Sequence, residues 1–297
     1  MSYLGRFFAR LSTALSIIFR ISEHPENQGR RLRRLALFLA WQVWQRSVKR
    51  PWVIKLCEGR RLYLHPHSVG SSGVLYYGLP ERKSMRFVLD YLKTGDGFLD
   101  VGANVGVYSL LASSIPGVQV VAFEPASLAY ERTLANVRLN EVASSVTVLP
   151  YAVGARSGKV LMTVDLDAMN HIVEDSEVLG PARVETVERR ALDELTCPPL
   201  PGRVNLIKID VEGLEADVLR GAEQLLSRDS PAIIVEANAP IEIRAALMQW
   251  GYQFVEYLPE TRDLVPTDPS NQVHQNVIAV RDVELARARV SRQELPK

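Results

Sequence analysis

The chain has 297 residues, enough for one large α/β domain with an appendage or for two small domains. Apolar residues make up 47% and the formal net charge is +1, so the chain can bury a real core and is not a polyanion binder by bulk charge. Its two cysteines, Cys57 and Cys197, lie far apart, which rules out a disulfide framework or a thiolate metal cluster and fits a reducing, cytoplasmic compartment.

The charge is unevenly placed. Residues 1–50 hold ten Lys/Arg against Glu23 and Glu26, an excess of eight positive charges that leaves the rest of the chain seven negative. Leu4, Phe7, Leu11, Leu15 and Ile18 recur at steps of three and four and predict an amphipathic helix over 1–22. His24-Pro25-Glu26-Asn27 breaks it. A second helix is expected from about Asn27 to Ser47, with Leu32, Leu35, Leu39 and Val43 on one side and Arg30, Arg31, Arg33 and Arg34 at its start. Residues 1–50 therefore read either as peripheral membrane contact through a basic amphipathic pair, or as a helical extension packed on the main domain or another subunit. No apolar run reaches the roughly 18–20 residues a bilayer span needs.

Val53–Cys57 and Arg61–Leu64 alternate around Glu58-Gly59-Arg60 and predict a β-hairpin. His65-Pro66-His67 and Gly70-Ser71-Ser72-Gly73 read as loop, and a helix is expected from about Glu81 to Leu92. The chain thus divides into a helical extension (1–50), the hairpin with a lead-in helix (51–95), an α/β domain (96–282) and a charged tail (283–297).

Phe98 opens a buried strand that breaks at glycines: Leu99-Asp100-Val101-Gly102-Ala103-Asn104-Val105-Gly106. A helix follows, then the strand Val118–Phe123, which ends in Glu124-Pro125. That pattern makes a crevice for a nucleotide-like ligand at the strand ends of a doubly wound sheet. The glycines let a backbone approach closely where a Cβ would collide. Glu124, 22 positions after Gly102, can accept from both hydroxyls of a ribose, at roughly 1.5–3 kcal/mol for each charge-assisted bond. A dinucleotide fingerprint needs G-x-G-x-x-G. Here Asp100 precedes the first glycine and Asn104 replaces the second, so a pyrophosphate would be repelled while a ligand carrying an amino group and a sulfonium would be attracted.

Further strands are expected at Val146–Leu149, Lys159–Val164, Val184–Arg189, Val204–Ile209, Ala232–Glu236, Tyr252–Tyr257 and Gln275–Val280. Helices are expected after Ser127 as cap, at Ala191–Leu195, Glu215–Leu226 and Pro240–Trp250. Asp165–Pro181, with Asn170 and His171, reads as a polar insertion and a candidate acceptor-binding region.

Asp100-Val101-Gly102-Ala103-Asn104-Val105-Gly106, Phe123-Glu124-Pro125 and Lys208-Ile209-Asp210-Val211-Glu212-Gly213 together resemble the FkbM family of S-adenosylmethionine (SAM) dependent methyltransferases, over roughly Gly78 to Val280. The resemblance implies a Rossmann-like class I methyltransferase fold: a seven-stranded, mostly parallel sheet with helices on both faces. It implies SAM as cofactor, held by Asp100, Gly102, Ala103, Asn104, Gly106, Glu124 and Pro125, with the main chain near Ala152 reading the adenine. It makes Tyr77 and Glu81 candidate lid contacts, and Asp210 and Glu212 the active-site carboxylates, with strand alternation placing both on one side if the strand runs that far. The implied acceptor is a hydroxyl on a sugar, glycan or polyketide-like metabolite.

A hydroxyl acceptor must lose its proton, which calls for a general base or a metal. Glu236, at the end of its strand, is a third candidate carboxylate, and His171 an alternative base. The rivals are an N-methyltransferase, a membrane-associated protein that keeps the fold without turnover, and an NAD oxidoreductase. The acidic residues at 210 and 212 suit nucleic acid poorly.

Overall fold

The computed structural model describes residues 15–66, 68–163, 172, 183–195, 200–236, 241–268 and 276–291. Eight strands form one sheet: β3 (Gly97–Val101), β4 (Gln119–Phe123), β5 (Val146–Leu149), β9 (Val204–Ile209), β10 (Ala232–Glu236), β11 (Gln253–Leu258), β12 (Asp263–Pro266) and β13 (Asn276–Val280). Their order is β12-β11-β13-β10-β9-β3-β4-β5. The five strands from β5 to β10 run parallel, and β13 lies antiparallel between β10 and β11. Seven of the eight were expected. The addition is β12, paired antiparallel with β11. Its four residues end in Pro266, which cannot donate to a ladder and is tolerated at a sheet edge.

Alternation along each strand feeds two cores. Phe98, Val120, Ala122 and Leu206 belong to one, together with α4 (Arg82–Tyr91) and α5 (Val107–Ser113). Leu99, Val101, Val121, Phe123, Ile207 and Ile209 belong to the other, with α7 (Glu215–Arg220), α8 (Glu223–Asp229) and α9 (Ile241–Gln249). A sheet covered on both faces favours mostly apolar strands, and Asp100 and Lys208 are buried exceptions within β3 and β9.

A smaller sheet, ordered β6-β8-β7, joins β6 (Tyr151–Val153), β7 (Gly158–Thr163) and β8 (Val184–Arg190). The single helix expected at Glu215–Leu226 is broken in two. A Cβ on Gly221 would lie 2.1 Å from the Gly154 carbonyl oxygen, and the Gly221 carbonyl accepts from the Asp193 amide, so tertiary contact replaces a helical turn. The glycine-serine run expected as loop lies in α3 (Val69–Tyr77), where Ser71 is buried against Ser68 and a Cβ on Gly73 would sit 3.2 Å from Pro80. Ser127 is not a cap: α6 (Ser127–Leu139) begins after Ala126, whose amide is held by Glu124 instead. The tail forms α10 (Val283–Val290), capped by Asp282 and anchored by Ala286 and Val290.

Helix α1 (residues 15–23) and α2 (Arg31–Ser47) precede the hairpin of β1 (Trp52–Lys55) and β2 (Arg61–Leu64). Buried Asn27 donates to the carbonyls of Ile21 and Tyr76, and Glu26 pairs with Arg82 and Arg86. Trp52 stacks on Trp41 and Trp44. The hairpin is tied to α6, where the side-chain oxygens of Asn136 and Asn140 accept the Tyr63 and Arg61 amides. No described helix is long and apolar enough to cross a membrane.

Candidate active site

Strand alternation puts Asp100 on the face of Phe98 and Lys208 on the face of Leu206, and parallel register sets Asp100 opposite Lys208 at the tips of β3 and β9. Helix α5 lies over them. Ser109 donates to Asp100 Oδ2 at 2.6 Å, and the Lys208 ammonium sits 4.7 Å from the Tyr108 ring centroid, within cation–π range. Asp100 Oδ1 is buried and has no hydrogen-bond partner among the described residues. Burial raises the pKa of Asp100, opposed by Lys208 and Ser109. Burial alone would lower the pKa of Lys208, but Asp210, Glu81 and Asp100 outweigh it and hold the ammonium firmly charged.

The loop after β3 is clasped to the end of β4. The Phe123 carbonyl accepts the Gly102 and Ala103 amides, both at 3.0 Å. Glu124 Oε2 accepts the Asn104 amide at 2.8 Å, and Oε1 accepts the Ala126 amide at 2.9 Å. Asn104 has φ +51, a left-handed conformation that asparagine adopts more readily than most residues, which explains why it can stand where a glycine was the alternative. Burial pushes the Glu124 carboxyl up to about 7, against the two amides that favour its ionised form.

The two glycines serve the protein's own packing. Gly102 has φ +80, and a Cβ there would lie 1.8 Å from the Asp210 carbonyl oxygen. Gly106, also at φ +80, would press on Thr133 at 2.9 Å. The close approach within the chain is made by the turn after β9 at Gly102 and by α6 at Gly106.

One cavity is lined by Asp100, Gly102, Ala103, Asn104, Glu124, Pro125, Ala152, Asp210 and Glu212. Gly106, expected among the cofactor contacts, does not line it; it precedes α5 from behind the loop. The cavity encloses about 200 Å³, against the ~10–15 Å³ one water needs, so it is of ligand size. Ala152 sits in β6, which forms one wall with Tyr151 and Val153.

Asp210 Oδ2 accepts from Lys208 Nζ at 2.7 Å, and the Asp210 amide donates to the Val101 carbonyl. Strand β9 ends at Ile209 and Glu212 is left-handed at φ +53, so the strand does not run far enough for alternation to relate the two carboxylates. Both reach the cavity through the turn instead. Glu215 braces that turn by accepting the amides of Val211 and Gly213.

Glu81 also lines the cavity, where it accepts from Tyr108 Oη and Asn276 Nδ2, both at 2.5 Å. Burial and the Glu81 carboxylate together hold the Tyr108 phenol well above its ordinary pKa. Tyr77 does not line the cavity and packs against the His24 ring at 5.0 Å. Glu236 ends β10 and does not line the cavity. Asn170, His171 and His67 lie outside the described residues. Sequence reasoning left Tyr108 and Asn276 without a role, and passed over Lys208 although a lysine inside the largely apolar Val204–Ile209 run was the available signal.

The strand order, with β13 reversed between β10 and β11 and a carboxylate-lined cavity at the tips of β3, β4 and β9, defines a class I methyltransferase fold. The family model described as the methyltransferase FkbM domain matches residues 100–254. The chain belongs to the FkbM methyltransferase family. Methyltransferase sdnD of Sordaria araneosa is 27% identical over 175 residues, which cover 49% of this chain and 68% of that protein. The hexuronic acid methyltransferase AglP of Haloferax volcanii is 28% identical over 54% of this chain and 64% of its own length. The 31-O-demethyl-FK506 methyltransferase FkbM of Streptomyces tacrolimicus is 31% identical over 44% of this chain and 61% of its own. The matched region thus spans roughly two thirds of the length of these relatives.

Proposed function

We propose that this chain is a SAM-dependent O-methyltransferase acting on a hydroxyl of a sugar, glycan or polyketide-like metabolite. The observation that carries the cofactor assignment is the orphaned Asp100 Oδ1, buried at the cavity and lacking a donor, which a ligand's ammonium group would satisfy. A carboxylate so placed favours a cationic amino acid and opposes a pyrophosphate. Glu124, with one amide on each oxygen, has lone pairs left for the two hydroxyls of a ribose. Ala152 and its strand neighbours supply a wall for the adenine.

When bound, SAM would supply an electrophilic methyl group on a sulfonium. The chain's part is to hold the acceptor in line and keep water out, and positioning of this kind contributes several kcal/mol in well-aligned systems. Lys208 fixes Asp210 through one oxygen, so Asp210 is a pre-oriented acceptor for a substrate hydroxyl. The acceptor class is supported by the names of the AglP and FkbM relatives, one a hexuronic acid methyltransferase and one a 31-O-demethyl-FK506 methyltransferase.

The test is transfer of isotope-labelled methyl from SAM to a panel of uronic acids, glycans and hydroxylated polyketides, with Asp210→Asn and Glu212→Gln alongside. Labelled product that falls at least about a hundredfold in either variant supports the assignment, in line with losing a general base. Full turnover in both variants would remove these residues from the chemistry.

A further inference from the structure

Helix α2 is apolar on two sides. Inward, Phe38 and Trp41 are buried against the rest of the chain. Outward, Leu32, Leu39 and Val43 are 84%, 59% and 65% exposed, and Ala36 lies between them, also exposed. At 3.6 residues per turn these four fall within about 60° of one another, in a stripe ~16 Å long. Leu35, which the sequence groups with this stripe, turns away from it and packs against the core. Three large apolar side chains held in water on one helix face mark an interaction surface.

The surroundings say what kind. Arg31 and Arg33 flank the start of the stripe, and Arg46, Lys49 and Arg50 its end; all are exposed, and none forms an ion pair with a described residue. On another side of α2, more than a third of a turn from the stripe, opens a second cavity, of about 460 Å³, lined by Arg30, Arg33, Arg34 and Lys55. The carboxylate among its described lining residues, Glu26, is already taken by Arg82 and Arg86. Arg34 donates to the Leu75 carbonyl from within this crowd of like charges.

We propose that α2 docks this protein onto an anionic phospholipid bilayer, with Leu32, Leu39 and Val43 in the acyl boundary and Arg31, Arg33 and Lys49 on the headgroups. A second copy of the chain fits poorly. A two-fold contact through this face would set one region carrying eight excess positive charges against its twin. An anionic lipid surface meets both features at once, because apolar burial and basic attraction add in interfacial helices.

The experiment is co-sedimentation of the full chain with phosphatidylcholine vesicles and with equal-part phosphatidylcholine–phosphatidylglycerol vesicles, at low and high salt, with sedimentation velocity on the same samples. The wild type is expected to bind the anionic vesicles at least about tenfold better than the neutral ones, and less well in high salt. Replacing Leu32, Leu39 and Val43 by Glu should reduce that binding at least about tenfold without changing the mass in solution. Arg31→Glu with Lys49→Glu tests the charge arm without touching the stripe, and it decides the matter should the triple variant not fold. Equal partitioning onto both vesicles, no binding to either, or a wild-type dimer that the triple variant splits into monomers would each overturn the proposal.

Discussion

Asp100 and Lys208 stand opposite one another on adjacent parallel strands, so a buried carboxylate and a buried ammonium lie side by side beneath the cavity. Asp210 completes the arrangement with its 2.7 Å ion pair to the same lysine. One positive charge therefore serves two carboxylates, and Glu81 adds a third to its field. Removing one partner of such a buried set costs about 3–5 kcal/mol, because it strands charge in low dielectric. Lys208→Met is expected to lower the melting temperature by on the order of 10 °C. It should also raise the Asp100 pKa further, since Lys208 is what opposes the effect of burial there. Thermal unfolding monitored by circular dichroism checks this, and an unchanged melting temperature would mean that the lysine is not the keystone of the cluster.

Glu124 is the residue most exposed to a pH test. Its folded-state carboxyl is raised from 4.5 to about 7, so the ligand-free protein favours the protonated form. The stability contribution of that proton is full below about pH 4.5 and is lost as pH rises through 7. Ribose hydroxyls that donate to this carboxylate favour the ionised form, so binding should release a proton. S-adenosylhomocysteine affinity is expected to rise by up to about tenfold per pH unit below 7 and to flatten above it. Calorimetry in two buffers of different ionisation enthalpy reads the proton directly. Glu124→Gln should abolish the pH dependence and weaken binding by roughly tenfold or more, the value of a charge-assisted bond.

The glycines give a paired test. Gly95 and Gly102 both have strongly positive φ, but a Cβ on Gly95 meets nothing within 4 Å, whereas one on Gly102 meets the Asp210 carbonyl at 1.8 Å. Gly95→Ala should cost only the left-handed penalty of about 1–2 kcal/mol and leave ligand binding intact. Gly102→Ala must push the Asp210 turn away from β3, and S-adenosylhomocysteine binding should be lost. Thermal shift with and without the ligand separates the two, and equal behaviour would show that β9 does not depend on a bare backbone at Gly102.

Much of this arrangement was legible in the sequence. Largely apolar runs such as Val204–Ile209 announce strands covered on both faces, and the Asp100-to-Gly106 turn announces where they open. Three kinds of information were not legible. Which partner a glycine serves is tertiary: the Gly102 contact is made by a residue 108 positions later. The break at Gly221 depends on Gly154, which a helical pattern cannot register. The Tyr108–Glu81–Asn276 cluster joins residues from three separate segments, none of which carries a local motif.

The proposed preference of the cleft for a cationic adenosyl amino acid over a pyrophosphate is tested by calorimetric titration of the wild type and Asp100→Asn with S-adenosylhomocysteine and with NAD. The expected result is that S-adenosylhomocysteine binds the wild type, binds the variant at least about tenfold less tightly through loss of a charge-assisted bond, and that NAD binds neither. Binding of NAD to the wild type with no heat from S-adenosylhomocysteine would contradict it.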